Sequence, residues 1–564
     1  MRSTLTSRTT VANLLGAGAG ALVMLAGLVV HPPQRPDPCD GATLQAVSSN
    51  EPGKYYVDPQ GRQTGVVYEV AARFGACITV RAVSSGIEER ALETEWAGHA
   101  GQDTPDVWLP ADDLWANLLD QRLPPGAPRP ARLTGIASSS MALAIDPGTA
   151  QGLGWSEKNP PSWKMIREAA RSGALRLLKE NATNSTSGAL ATLLAHRAGA
   201  GGHELTPEFV VQGTAHDVAA DIEHAVVWYP PDNLEILQEL AAGDSQILRG
   251  ASAMFLQRAF FAQFPQLGHR LEALPIRGET ARFQHAFVLR PGLDAATERL
   301  ARAFNAALRD GPSRAAFRAQ HYDEPADPGG DQSFRDGKLV DAVLEDWAGR
   351  LRRRVRMVLL LDESGSLKDS IGQVRSALGP ALRRLSPTDH VAVAGFPAAD
   401  GHAIGPLTGL DPSTRRLGFR PPAAVAKDLP QLQTRIAADR PTSPIVEAVG
   451  EVRAQLVAEA RPQDADNPEV GVIVVLTDGK EDPPAGPRAD ATVDALRWSR
   501  DLVHVYAIPV GTPTSLATVS AMAAASNGKV LCVDARPGCP GSPYDGFDAA
   551  FDAIVVGLGG NALT

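Results

Sequence analysis

Asp362, Ser364 and Ser366 form an Asp-x-Ser-x-Ser run directly after the apolar stretch 355–361, and Asp478 closes a second apolar stretch, 470–477. Carboxylate and hydroxyl oxygens are hard donors. They suit Mg²⁺ first and Ca²⁺ or Mn²⁺ as alternatives, and the run offers none of the nitrogen or sulfur ligands that zinc or copper prefer. Hydroxyl ligands leave much of a cation's charge unneutralised, so a carboxylate from a partner can complete the shell. The expected chemistry is therefore docking of an acidic group through a divalent cation. Glu363, Asp369, Glu481 and Asp482 beside these positions read as solvated rim charges.

Such ligands need elements that deliver them to one place. Residues 355–361 have the length and apolarity of a buried parallel strand, and 369–385 have helical period. Strand, loop and helix in that order put the loop oxygens at the carboxyl edge of a sheet, where open α/β sheets bind ligands. The stretch 470–477 reads as a second central strand, with the strand 390–396 and the helix 443–460 between the two. Strands are expected again at 503–510 and at the cysteine-bearing 529–533.

Strand plus Asp-x-Ser-Gly-Ser, a hydroxyl before a helix, then strand plus Thr-Asp-Gly resembles the von Willebrand factor A (VWA) family, from about Arg354 to Gly560. The resemblance implies a doubly wound Rossmann-like domain with a metal-ion-dependent adhesion site. It implies Asp362, Ser364 and Ser366 as the first ligand loop and Asp478 as the last. For the middle ligand, residue type favours Thr442, whereas counting back from Ala448 favours Ser443.

A second candidate is Ser185-Thr186-Ser187-Gly188, hydroxyls gathered where the helical segment 189–197 begins. Hydroxyls and free N–H groups at a helix start can seat an anion or a carboxylate, or serve only to cap the helix. Around it the pattern is α/β: strands at 43–47 and 78–82 enclosing a helix at 64–74, a strand at 106–110, a helix at 112–119, a strand at 141–145, and a helix opened by Ser162. Trp108, Trp115 and Trp228 could line a cleft, but read first as buried core aromatics. This order, with Pro105–Pro110, Met141–Ile145, Ser162-Trp163 and Asn184–Gly188, resembles the bacterial extracellular solute-binding proteins. It implies a two-lobed periplasmic-binding-protein-like domain with a small-molecule ligand.

The whole chain bounds these readings. At 564 residues it is too long for one core. The boundaries expected are an N-terminal anchor or signal segment over 1–38, a solute-binding-like domain over 39–322, a linker over 323–351, polar and rich in Pro, Gly and Asp over 323–337 and helical in period over 339–351, and the VWA-like domain over 352–564. The net charge of -10 argues against a nucleic-acid binder. The apolar run 11–30 would span a bilayer core as a helix and fits a single-pass anchor better than a cleaved signal peptide. Either way the rest of the chain is expected outside the cytoplasm. Local disulfides Cys39–Cys77 and Cys532–Cys539 suit that compartment. No Walker loop, nucleophile elbow or zinc-protease motif occurs, so the chain reads as a binding protein rather than an enzyme.

Overall fold

The computed structural model describes residues 42–49, 56, 65–97, 104–230, 233–243, 248, 250–278, 281–325, 334–398, 400, 402–408, 416–460, 469–500, 502–511, 515–533, 544 and 546–558. The apolar run 11–30, Cys39 and Cys539 lie outside them, and with them the anchor and one end of each expected disulfide. Neither described cysteine, Cys77 or Cys532, is a free thiol. Among the described residues no helix is long and apolar enough to cross a membrane.

The first unit opens as β1 (Thr43–Ser48), α1 (Gly65–Phe74) and β2 (Cys77–Ala82). The two strands pair in parallel, as the βαβ pattern requires. Val66, Val67, Val70 and Ala71 form the stripe that seats α1 on the sheet. Then follow α2 (Ser85–Glu95), β3 (Val107–Leu109) and α3 (Asp113–Arg122), the last capped by the Asp112 carboxylate on the Leu114 N–H.

The next strand, β4 (Ala131–Ile145), is three times the length expected from its apolar end. The Ser-rich first part and the register shift between Leu133 and Ala137 hide it from the period-two test. Its first part pairs with β9 (Arg282–Leu289), and its last part with β7 (Ala253–Gln257) and β8 (Glu272–Pro275), all antiparallel. Between them come α4 (Trp163–Arg171), capped by Ser162, then β5 (Leu177–Leu178), α5 (Thr186–Gly199), α6 (Pro207–Val210), α7 (Gly213–Glu223), β6 (Val226–Trp228) and α8 (Asn233–Ala242). The sheet runs β2-β1-β3-β9-β4-β7-β5-β6, with β8 on β4. Two α/β lobes thus meet along β4. Helices α9 (Ala295–Leu308) and α10 (Gly311–Ala319) complete the first lobe.

Within the stretch 323–351 assigned to the linker, the part read as helical in period, 339–351, is helical. Residues 337–351 form α11 (Gly337–Asp346) and a π-helical turn, Trp347–Leu351. Leu339, Val340, Val343, Leu344 and Trp347 are buried in the core of the first unit. An apolar stripe at helical spacing cannot stay in water when a matching surface is adjacent.

The second unit is a five-stranded sheet ordered β12-β11-β10-β13-β14. It comprises β10 (Arg354–Asp362), β11 (His390–Phe396), β13 (Glu469–Thr477) and β14 (Val503–Pro509), all parallel, and an antiparallel edge, β12 (Gly405–Pro406). Helices α12 (Ile371–Arg384) and α16 (Gly546–Gly557) cover one face, and α13 (Ile445–Glu459), α14 (Pro487–Trp498) and α15 (Ala517–Ala525) the other. Alternation decides which core each strand residue joins: Met357, Leu359 and Leu361 on one side, Val358 and Leu360 on the other. Both faces are buried, which defines a doubly wound Rossmann-like layer. Residues 529–533 meet β14 through a single bridge, Ala507 to Val530, instead of the expected strand.

A buried ion pair sets the start of β10. Arg352 donates to Asp389 at 2.9 Å with both side chains almost fully buried, and Asp389 also accepts the N–H groups of Val355 and Ser386. Removing one partner strands the other charge, a loss of about 3–5 kcal/mol. Asp389→Ala should lower the unfolding free energy of the second unit by that order in urea titration. A change within error of zero would show that the pair is not needed.

Candidate functional site

In the second unit the strands run outward in both directions from β10 and β13. Chain order goes from β10 to β11 on one side, then returns to β13 and β14 on the other. The crevice between the carboxyl ends of β10 and β13 is the switch point of the sheet, where ligands of such folds bind. Asp362 ends β10 there, and the register that pairs Leu361 with Leu476 brings Thr477 and Asp478 beside it.

The Asp362 carboxylate is fully buried. Its Oδ1 accepts the Ser364 N–H at 2.9 Å, and its Oδ2 accepts the hydroxyls of Ser443 at 2.9 Å and Thr477 at 2.6 Å. Burial pushes its pKa above the usual carboxylate value, against the pull of these donors, Thr477 first. Ser364 Oγ and Ser366 Oγ stand 2.8 Å apart. Asp478 Oδ1 accepts the Lys480 N–H, and the Thr477 hydroxyl accepts the Gly479 N–H.

The structure thus brings Asp362, Ser364, Ser366 and Ser443 into one hydrogen-bonded group, with Asp478 on the adjoining loop. It is Ser443, and not the half-buried Thr442, whose hydroxyl reaches Asp362. Thr477 is a member that sequence reasoning passed over as the start of Thr-Asp-Gly. Its signal was a hydroxyl as the last residue of an otherwise aliphatic strand.

Backbone pairs stitch the three loops together. Gly365 N–H donates to Arg440 O and Arg440 N–H to Glu363 O, while Ser443 and Asp482 exchange both their backbone bonds. Glu363 corrects the expectation of a solvated rim charge. It is buried, packed over the bare backbone of Gly395, with Oε1 accepting the Ala437 N–H. Glu481 is half-buried, and its Oε2 accepts the N–H of Val446 at the start of α13. Burial raises its pKa to about 7.

These donors fit a hard divalent cation. Octahedral Mg²⁺ with bonds of about 2.1 Å sets neighbouring ligand oxygens roughly 2.9 Å apart. The Ser364 and Ser366 hydroxyls match that edge. Asp362 and Asp478 would supply the negative charge, and Ser443 a third hydroxyl.

The seryl turn of the first unit is organised differently. The hydroxyls of Ser185 and Ser187 both donate to the buried carboxylate of Glu180. Glu180 Oε1 accepts the Asn233 N–H at 2.6 Å, and Trp115 Nε1 donates to Thr186 Oγ1 at 2.8 Å. The three residues do cluster at the head of α5, but the carboxylate seated there is the chain's own. Trp108, Trp115 and Trp228 are buried core residues.

Residues 64–323 match the family of bacterial extracellular solute-binding proteins. No curated protein matches the chain by sequence. Among solved structures it is similar to the sulfate-binding protein SubI from Mycobacterium tuberculosis H37Rv, at 15% identity over 54% of this chain and 90% of that one, with a TM-score of 0.36. It is similar also to the periplasmic binding protein AfuA from Actinobacillus pleuropneumoniae, at 12% identity over 55% and 98% of the two chains, TM-score 0.40. A von Willebrand factor type A protein from Catenulispora acidiphila matches at 14% identity over 37% of this chain and 43% of its own, TM-score 0.29. At these values none of the three says what this chain binds. The family match supports a two-lobed fold with a binding role outside the cytoplasm for residues 64–323.

Two measurements probe the site. Ser443→Ala should weaken Mg²⁺ binding in calorimetry by about tenfold or more, a loss typical when a ligand or its support is removed, while Thr442→Ala leaves it near wild type. The reverse ranking would move the middle ligand to Thr442. For Glu481, a folded pKa above the unfolded one means the folded state holds the proton better, so stability is lost as pH rises through about 7. The melting temperature of the second unit in EDTA should therefore fall between pH 5 and 8, and Glu481→Gln should flatten that fall. An unchanged slope would exclude Glu481 as its source.

Proposed function

We propose that the second unit is a VWA-type module whose divalent cation, Mg²⁺ by preference, is held by Asp362, Ser364, Ser366, Ser443 and Asp478, and that the cation docks an acidic residue of a protein partner. One observation carries this reading. Two hydroxyls lie at coordination spacing beside a buried carboxylate, at the switch point of a doubly wound sheet. Uncharged hydroxyl ligands keep the cation electrophilic, which suits capture of a carboxylate at the open coordination position. The apolar run 11–30 would tether the chain to the membrane with this site outside it.

The family match over 64–323 favours a second reading, a substrate-binding receptor of a transporter with the VWA-type module as a docking accessory. The readings separate in the full-length chain. Under the first, pull-down from membranes captures a partner in Mg²⁺, loses it in EDTA and loses it with Asp362→Ala while the far-UV spectrum stays native. Capture undiminished by EDTA would count against the cation. Under the second, a thermal-shift screen with small anions and sugars raises the melting temperature of the first unit irrespective of Asp362→Ala.

A further inference from the structure

The stretch that joins the two units also crosses both lobes of the first. On the first lobe, Arg122 of α3 donates two bonds to Asp341 of α11, at 2.8 and 3.1 Å, and Asn117 Nδ2 donates to Phe334 O at 3.0 Å. The helix comes so near that a Cβ on Gly337 would lie 2.3 Å from Asn117 O. On the second lobe, Asp346 Oδ2 accepts from His196 Nε2 of α5 at 3.1 Å and from His216 Nδ1 of α7 at 3.0 Å. Trp347 Nε1 donates to Glu223 Oε1 at 2.7 Å. Glu223 is itself fixed by Lys179 at 3.0 Å and by the Tyr229 hydroxyl at 2.6 Å, all of them buried.

An independent set of contacts joins the lobes where α2 faces the turn before α5. Gly86 N–H donates to Asn184 O at 2.8 Å, and Arg90 donates to Thr183 O and Asn184 Oδ1, each at 2.7 Å. A Cβ on Gly86 would come within 2.2 Å of Thr183 O. Trp115 of α3 reaches across to Thr186. Beneath these bonds one apolar core runs unbroken from Leu92, Trp115 and Leu118 in the first lobe, through Val340, Val343 and Trp347, to Leu193, Leu194 and Val218 in the second.

A receptor that admits solute by hinge opening must part its lobes along a wet cleft. Parting these lobes would break the partly exposed Arg122–Asp341 pair or the buried bonds at Asp346 and Glu223, and would expose the shared core to water. The solute-binding match ends at residue 323, so α11 lies beyond the part of the fold that the family accounts for.

We propose that residues 337–351 are a strap that holds the two lobes in one arrangement, so that the first unit works as a fixed body and does not open to load a small solute. The strap runs on through Arg352 and Arg353 into β10, the strand that carries Asp362. The first unit is thereby a rigid arm for the second. This inference stands on the lobe contacts alone; it opposes the transporter-receptor reading and does not depend on whether the second unit binds a cation.

The test is the distance between lobes in the full-length chain. Spin labels at Arg73→Cys on α1 and Lys158→Cys in the second lobe, both exposed, report it by double electron–electron resonance. One narrow distribution is expected, unchanged by sulfate, phosphate, sugars or amino acids. A second, longer population, or a shift on adding any of these, would overturn the strap. Adding Arg122→Ala and Asp346→Ala should broaden the distribution toward longer distances; a folded double variant with the wild-type distribution would also overturn it. Hydrogen exchange on the unmutated strap covers the case where that variant does not fold. The amides of α2 and α5 should exchange only with global unfolding, and their release in a smaller opening would refute a locked pair.

Discussion

A carboxylate that sits fully buried at the end of a central strand must find donors or it will not stay charged. Asp362 finds them on the two other loops of the switch point: the Ser443 hydroxyl before α13 and the Thr477 hydroxyl at the end of β13. Each bond draws a loop toward β10, and the paired backbones of Ser443 with Asp482 and of Gly365 with Arg440 keep the three loops in register. Hydroxyls that converge on one carboxylate are also free to turn their lone pairs toward a cation. The same interaction therefore organises the sheet edge and prepares its chemistry.

The first unit meets its buried charges in the same way, with internal partners. Glu180 takes the hydroxyls of Ser185 and Ser187, and Glu223 takes Lys179, Tyr229 and Trp347. The seryl hydroxyls and the Trp347 indole are thus turned to carboxylates of the chain itself. Such satisfied networks favour one packing over its neighbours, since any displacement leaves a buried polar group unpaired. The rigidity inferred for the lobes and the order of the loops around Asp362 have a common physical origin.

Much of this was legible before any coordinates. Period and strand length found β1, β2, β3, β11 and β13, and the residue pattern singled out Asp362, Ser364, Ser366 and Asp478, which the fold brings to one sheet edge. What stayed hidden depended on partners distant in the chain. Glu363 looks like any loop carboxylate until Gly395, on a different strand, leaves room for it. The choice between Thr442 and Ser443 rests on which hydroxyl turns inward after Arg440 pairs with Glu363, 77 positions away by the numbering.

The sequence by itself determined two α/β units, their order and the hard-donor chemistry of the second. These follow from local rules, because apolar period and oxygen-bearing side chains are properties of short stretches. Only the tertiary structure decided that Ser443 and Thr477 share Asp362, that the seryl turn encloses Glu180, and that residues 337–351 bind both lobes together. Each of those is a contact between segments far apart in the chain. Its energy depends on burial and direction, which no single stretch of sequence carries.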